Sequence, residues 1–231
     1  MKKRLIFLLG PVMALTLTAC GSRQQAAEVS DDANMTQNES GSSEADQKMS
    51  GSNILIAYFT VPETDGVDTV AGASRVVTGN DVMGNTQFVA TEIQKDLGGD
   101  LFAIQTVQDY PGTHEALLDF AYDEKSRNAR PELASYIENL GNYDYIFVGY
   151  PNWNADLPMP LYTFFDEYDF SGKTIIPFVT HGGSGFSSTV RTIEELEPNA
   201  TVIEAGLSLS RNSVANAQAD IKAWADSLLS D

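Results

Sequence analysis

Residues 145–160 read YIFVGYPNWNADLPMP, and this stretch decides the fold. Its first four residues form an apolar run that is typical of a buried strand and that ends at Gly149 and Pro151. Trp153 follows among small and polar residues, where no core-packing pattern requires a tryptophan. In an open parallel sheet, ligands bind at the loops that leave the carboxyl ends of strands. Trp153 therefore has two interpretations, a stacking wall for a flat aromatic ligand or a cap on the hydrophobic core.

Apolar strands alternate with helical stretches on both sides of this loop. The predicted strands are residues 54–59, 101–107, 145–148, 173–180 and 200–206, and the predicted helices are residues 86–97, 114–122, 131–140, 157–168, 188–196 and 213–228. Strands that alternate with helices predict right-handed crossovers and a parallel sheet covered on both faces. From residue 53 onward the chain has the length of a single domain.

The amino terminus has the layout of an exported lipoprotein. Three basic residues, at positions 2–4, precede an apolar segment over residues 5–17, which is shorter than the roughly 20 residues of a membrane span. Cys20, the single cysteine of the chain, follows Leu-Thr-Ala, as in a bacterial lipobox. We therefore expect a signal peptide over residues 1–19 and a mature protein held by acyl chains on the outer face of a cytoplasmic membrane, or in a periplasm. The alternative is an ordinary secretory signal with an incidental cysteine.

The charge of the chain excludes some partners. Residues 20–52 are predicted to be a disordered acidic tether, because they are rich in small polar and acidic residues and have almost no large apolar ones. From residue 53 onward the chain has nine basic and 26 acidic residues, a net charge of −17. Such a domain repels phosphate backbones, so we expect no nucleic-acid partner. It also repels anionic lipid, so membrane affinity has to come from the acyl chains. Two histidines and one lipidated cysteine cannot build a typical zinc site.

Two motifs give the chain a family resemblance from residue 54 to its end. It resembles flavodoxin-like proteins of the bacterial group that carries Gly-Tyr-Pro-x-Trp after the third strand and Thr-x-Gly-Gly-Ser-Gly after the fourth. Both motifs are present, at residues 149–153 and 180–185. The resemblance implies an α/β three-layer sandwich with a five-stranded parallel sheet of order 2-1-3-4-5. It also implies an FMN cofactor, bound by loops at the carboxyl ends of the first, third and fourth strands.

The first of these loops departs from the family pattern, Ser-x-x-Gly-Asn-Thr, which holds the phosphate. Thr60 follows the first strand, and an insertion over residues 61–83 comes next. The motif resumes at the start of the following helix, with Gly84, Asn85 and Thr86. The resemblance implies that the two halves meet and hold the phosphate with hydroxyls and amides at the helix N-terminus, although Asn85 is equally suited to ordinary capping. The insertion is a candidate lid over the flavin or a docking surface for a partner.

The resemblance assigns the other flavin contacts to the two intact loops. Glycines let the backbone approach a flat ring closely, and backbone amides after the fourth strand would contact the pyrimidine edge of the flavin. His181 is either a polar neighbour of the flavin or a solvated loop residue, and His114 is expected to cap a helix. The predicted contacts in these loops are Pro151, Asn152, Trp153, Asn154, Thr180, His181, Gly182, Gly183 and Gly185.

No acid–base pair or nucleophile stands out in the sequence, which favours an electron carrier over a catalyst. The leading hypothesis is an FMN-containing, lipid-anchored protein that carries electrons to a redox partner protein or a small electron acceptor outside the cytoplasm. Its dense negative charge is expected to destabilise the anionic reduced flavin. Two alternatives stay open: an FMN-dependent reductase, for example of quinones, and a flavin-free module that binds a partner or a small molecule.

Overall fold

A fully buried strand, β1 (Ile54–Tyr58), lies near the centre of the sheet in the computed structural model, which describes residues 49–63, 74–78 and 81–229. Strand β1 pairs on one side with β4 (Asp100–Ala103) and on the other with β5 (Tyr145–Pro151). The far side of β5 pairs with β6 (Thr174–His181). All of these pairs are parallel, so the carboxyl ends of β1, β5 and β6 meet at one edge of the sheet.

Two short segments fill the last position of the sheet, where one strand over residues 200–206 was predicted. Strand β7 (Thr201–Val202) pairs with the start of β6, and β8 (Leu207–Ser210) pairs with its end. The break lies opposite Pro177. On the same side of β6, Ile175 O accepts a hydrogen bond from Ile203 N, but Pro177 has no N–H to donate there. Counted by position, the strand order is 2-1-3-4-5, and the predicted fold class is confirmed.

Helices cover both faces of the sheet and complete a three-layer sandwich. Alternate side chains of β1 point to opposite faces, with Leu55 and Ala57 in one hydrophobic cluster and Ile54 and Ile56 in the other. The first cluster includes buried residues of α2 (His114–Ser126), α3 (Met159–Glu167) and α4 (Thr189–Leu196). The second includes buried residues of α1 (Asn85–Leu97) and α5 (Gln218–Leu228).

Residues 131–139 are not helical and Leu140 only begins a short 3-10 turn, so the helix predicted over residues 131–140 is wrong. Val107 N donates to Glu132 O (2.9 Å) and Ala134 N donates to Gln105 O (2.7 Å), which pairs this segment with the chain that follows β4. Leu133 is fully buried in the first hydrophobic cluster, and Ile137 and Leu140 pack against that cluster. The apolar spacing that suggested a helix is therefore satisfied by an irregular, partly extended chain. A helix there would break the backbone hydrogen bonds to the β4 side.

The insertion over residues 61–83 contains an antiparallel hairpin formed by β2 (Arg75–Thr78) and β3 (Asp81–Gly84). Val76 is buried in the hydrophobic cluster below α1 and α5, so the hairpin is packed onto the domain. Asn85 N, the first amide of α1, donates to Ser74 O at 2.8 Å. Residues 64–73 and 79–80, which complete the insertion, lie outside the described residues.

The described chain begins before the predicted domain boundary at residue 53. Gly51–Asn53 forms a single 3-10 turn, and Met49 packs against the cluster below α1 and α5. Residues 49–52, which the sequence assigned to the tether, therefore belong to the folded domain. The predicted signal peptide, Cys20 and the rest of the tether lie outside the described residues. Across the part of the chain that the structure describes, no helix has the length and apolar character needed to cross a membrane.

Candidate functional site

A cavity of about 380 Å³ lies at the carboxyl ends of β5 and β6. Small-molecule sites usually have volumes of about 300–1,000 Å³, so this one has the size of a ligand pocket. Eight of the predicted site residues line it: Asn85, Pro151, Asn152, Trp153, Thr180, His181, Gly182 and Gly183. Five others do not: Thr60, Gly84, Thr86, Asn154 and Gly185. Seven lining residues were not predicted: Glu63, Ser74, His114, Leu117, Leu118, Ser184 and Arg211.

Trp153 belongs both to the hydrophobic core and to the cavity wall. Its side chain is only 9% exposed, and its ring meets Phe59 edge to face at 5.4 Å between centroids. The chain turns at Asn154 and Ala155, both with positive φ, so that Trp153 N and O pair with the backbone of Asp156. The interpretation of Trp153 as a core residue is therefore correct. Because the ring also borders the cavity, the same residue can contact a ligand.

A buried polar cluster holds a second aromatic ring against Trp153. The centroid of Tyr110 lies 5.7 Å from that of Trp153, and Tyr110 Oη donates to Glu124 Oε2 at 2.9 Å. Gln108 Nε2 donates to the same carboxylate. Burial raises the pKa of Glu124, and burial together with the charge of Glu124 raises the pKa of Tyr110. This network fixes the position of Tyr110 and, through it, that of the tryptophan wall.

The loop after β6 forms another part of the cavity wall. Gly183 and Gly185 have φ values of 136° and 58°, which side chains with a Cβ rarely adopt. Gly183 N donates to His181 Nδ1 at 2.9 Å, and burial lowers the pKa of His181, so the neutral ring is favoured. Asn152 Nδ2 donates to Gly185 O at 2.8 Å, which joins this loop to the one after β5. Asn152 Oδ1 is buried and has no hydrogen-bond partner among the described residues.

The two halves of the split first loop meet, as the sequence predicted. A Cβ on Gly84 would lie 1.9 Å from Thr60 Oγ1, so only glycine fits beside that threonine. Thr86 Oγ1 and Thr180 Oγ1 share a buried hydrogen bond of 3.0 Å, which ties the N-terminus of α1 to β6. With Asn85 N bonded to Ser74 O, the polar groups at this helix end are largely engaged with the protein itself.

Two ionisable side chains that the sequence did not assign to the site, Glu63 and His114, also line the cavity. His114 is the first residue of α2 but Thr113 is its N-cap, so the expectation that His114 caps the helix is wrong. Instead, His114 Nδ1 lies 2.6 Å from Glu63 Oε1, and the Glu63 side chain is 4% exposed. These two residues are 51 positions apart and belong to no motif, so no sequence pattern links them. In the described ranges, no cluster of three or more His, Cys, Asp or Glu side chains could hold a metal ion.

Comparisons with known proteins agree on the architecture. A family model described as flavodoxin matches residues 75–228. The structure of a candidate flavoprotein from Bacteroides eggerthii is 26% identical, and the match covers 76% of this chain and 97% of that one with a TM-score of 0.55. A flavoprotein from Lactobacillus acidophilus in complex with FMN is 20% identical over 73% of this chain and 99% of that one, with a TM-score of 0.51, and supports the fold alone. A search of curated protein sequences found no match.

Proposed function

We propose that this chain, which belongs to the flavodoxin family, binds FMN in the cavity at the carboxyl ends of β5 and β6 and carries electrons on it. One observation carries the proposal: the cavity has an aromatic wall and a glycine-rich wall at the place where this architecture binds ligands. Bound FMN would supply the electron chemistry, while the protein supplies binding, orientation and the local electric field.

The residues on the cavity wall fit the ring system of a flavin. Trp153 offers an aromatic surface, and the glycines at positions 182 and 183 let the backbone come close to a flat ring. The pyrimidine part of a flavin carries both N–H and carbonyl groups. Asn152 Oδ1, a buried acceptor without a partner in the described structure, suits such an N–H group. We therefore assign Asn152, Trp153 and the loop after β6 to the flavin ring.

Fewer hydrogen-bond donors are available to the phosphate of FMN than the family resemblance implies. The N-terminus of α1 is the position implied by the family, because helix N-termini attract anions. There, however, Asn85 N is bonded to Ser74 O, and the hydroxyls of Thr86 and Thr180 are bonded to each other. The amides that follow in the first turn of α1 are the remaining donors. The assignment of Thr60, Gly84, Asn85 and Thr86 to the phosphate stays a prediction.

One observation favours a second candidate, an FMN-dependent reductase. The His114 side chain is 44% exposed and is held by the buried carboxylate of Glu63 at the rim of the cavity. A histidine oriented in this way can deliver a proton to a small acceptor that receives electrons from the flavin. Steady-state reduction of a quinone by NADH or NADPH, lost in His114→Gln with FMN still bound, would favour the reductase over the electron carrier.

We also propose that the protein works outside the cytoplasm, held to the membrane by lipid on Cys20. The support is the sequence alone: a basic start, a short apolar segment and a cysteine after Leu-Thr-Ala. The net charge of −18 gives no attraction to anionic lipid, so acyl chains are the expected source of membrane affinity. A redox partner protein or a small acceptor would meet the flavin there.

An absorption spectrum tests FMN binding directly. The full chain is purified in detergent, incubated with excess FMN and desalted. We expect flavin bands at about one per chain, with retention reduced in Trp153→Ala and unchanged in Gly141→Ala, because a Cβ on Gly141 would meet nothing within 4 Å. A native chain that folds but retains no flavin would overturn the proposal and leave the flavin-free binding module as the better hypothesis.

A further inference from the structure

We propose that Arg211 binds the negative charge that FMN acquires on reduction, and so determines how strongly the protein holds reduced flavin relative to oxidised flavin. The inference rests on the proposed FMN site and adds a residue outside both loop motifs. It also reverses part of the sequence-based expectation, in which the acidic surface destabilises the anionic reduced flavin.

The backbone of Arg211 is fixed at the edge of the cavity by the sheet. Strand β8 ends at Ser210, which is paired in register with His181 at the end of β6. Arg211 N then donates to His181 O at 2.8 Å. The residue therefore starts at the base of the glycine-rich loop, and its position does not depend on a flexible connection.

The guanidinium of Arg211 lies against that loop and lines the cavity. A Cβ on Gly182 would be 3.3 Å from Arg211 Nη1 and 3.4 Å from Cζ, so the absence of a side chain at Gly182 lets the guanidinium pack onto the loop backbone. Arg211 Nε is buried and has no hydrogen-bond partner among the described residues. Buried donors in folded proteins nearly always have a partner, so this one is suited to a ligand acceptor.

Arg211 also gives the cavity wall a cation that has no ion-pair partner within the described ranges. The other two ionisable side chains that line the cavity, Glu63 and His114, contact each other at 2.6 Å. No described carboxylate forms an ion pair with Arg211, whereas exposed arginines such as Arg191 have one. Because a guanidinium stays protonated, Arg211 places a permanent positive charge in the cavity.

The loop that Arg211 contacts is the one assigned to the pyrimidine edge of the flavin. When FMN is reduced to its anionic form, the added charge resides on that edge, over N1 and the adjacent carbonyl. A cation in contact with it is only weakly screened, while surface charges beyond about 8–10 Å are largely screened at physiological salt. Arg211 therefore outweighs the distant carboxylates, although the chain as a whole carries a charge of −18.

The test compares the affinities of oxidised and reduced FMN in Arg211→Gln, Arg211→Lys and the native full chain. Anaerobic titrations with oxidised FMN and with dithionite-reduced FMN give two dissociation constants for each protein. In Arg211→Gln, we expect the ratio of reduced to oxidised dissociation constants to rise about tenfold, because a charge-assisted contact is lost only in the reduced state. A tenfold change equals a 29.6 mV fall in the two-electron midpoint potential, which a redox titration measures separately. Arg211→Lys keeps the positive charge, so its ratio of dissociation constants should stay close to that of the native chain.

Two controls test whether the charge of Arg211 acts at the flavin ring. Arg191→Gln removes the same charge from an exposed ion pair outside the cavity and should leave the ratio unchanged. Riboflavin replaces FMN in a parallel titration: if Arg211 contacts the phosphate instead, Arg211→Gln will weaken oxidised FMN and leave riboflavin unaffected, which overturns the proposal. An unchanged ratio in a folded Arg211→Gln chain that still binds FMN also overturns it. Absence of FMN binding by the native chain would overturn the proposed function as well.

Discussion

The contact between Gly84 and Thr60 predicts how a substitution in the split loop changes the stability of the fold. A Cβ on Gly84 would lie 1.9 Å from Thr60 Oγ1 and 2.9 Å from both Cβ and Cγ2, so rotation of the threonine cannot relieve the overlap. Gly84→Ala should therefore force a backbone shift that costs about 1–3 kcal/mol. For a domain of this size, each kcal/mol lowers the melting temperature by about 2–4 °C, so we expect a drop of roughly 2–12 °C.

A double-mutant cycle shows whether Thr60 causes that loss. The backbone of Gly84 (φ −66°, ψ 151°) is accessible to alanine, so in a Thr60→Gly background the same substitution should be neutral or stabilise the fold by about 0.4–1 kcal/mol. Urea unfolding of the four proteins without flavin measures the coupling. Gly141→Ala, which meets no neighbour, is the matched control and should change stability by less than about 0.5 kcal/mol. Equal losses in both backgrounds would show that the two halves of the loop are not in contact.

Three further predictions concern other parts of the chain. Trp153→Ala should lower the free energy of unfolding by about 3–5 kcal/mol and weaken FMN binding, whereas Trp153→Phe should keep most of the stability. Urea unfolding measures the stability and FMN titration measures the affinity. An unchanged affinity in Trp153→Ala would remove Trp153 from the site. Burial and the nearby charge of Asp169 raise the pKa of Glu197 from 4.5 to about 7, so the folded state binds the extra proton and stability should fall as pH rises through this window. Glu197→Gln should flatten that slope in unfolding midpoints recorded across the window, and an equally steep profile in the variant would refute this cause. Cys20→Ser should move the protein from the membrane fraction to a soluble one, and unchanged fractionation would exclude lipid on that residue.

The strands and the two loops that line the cavity could be predicted because their signals are local. An apolar run before Gly149 and Pro151 marks a buried strand, whatever the rest of the chain does. Its end was predicted three residues too early, because β5 continues from Val148 to Pro151. Trp153 and the glycines at 182 and 183 stand out for the same reason, since their types do not suit an ordinary connection. The parallel order of the sheet then brings the two loops to one edge, where the cavity lies.

Other features depend on contacts between distant parts of the chain, which no local pattern records. Leu133, Ile137 and Leu140 have helical spacing, but backbone pairing with residues 105–107 determines their conformation. The fifth strand divides because Pro177, on the neighbouring strand, cannot donate to it. Arg211 is brought to the glycine loop only by the pairing of β8 with β6, so its place on the cavity wall could not be read from its neighbours in sequence.

The hydrogen bond from Asn85 N to Ser74 O has a consequence for attempts to shorten the protein. A long insertion between a strand and a helix is an obvious segment to delete when a shorter domain is wanted. In this chain, the insertion supplies the acceptor for the first amide of α1, and its Val76 side chain fills part of the core beneath α1 and α5. A trimmed version would need a new acceptor at that helix end and a replacement for the lost apolar contact. The insertion and the scaffold therefore have to be redesigned together.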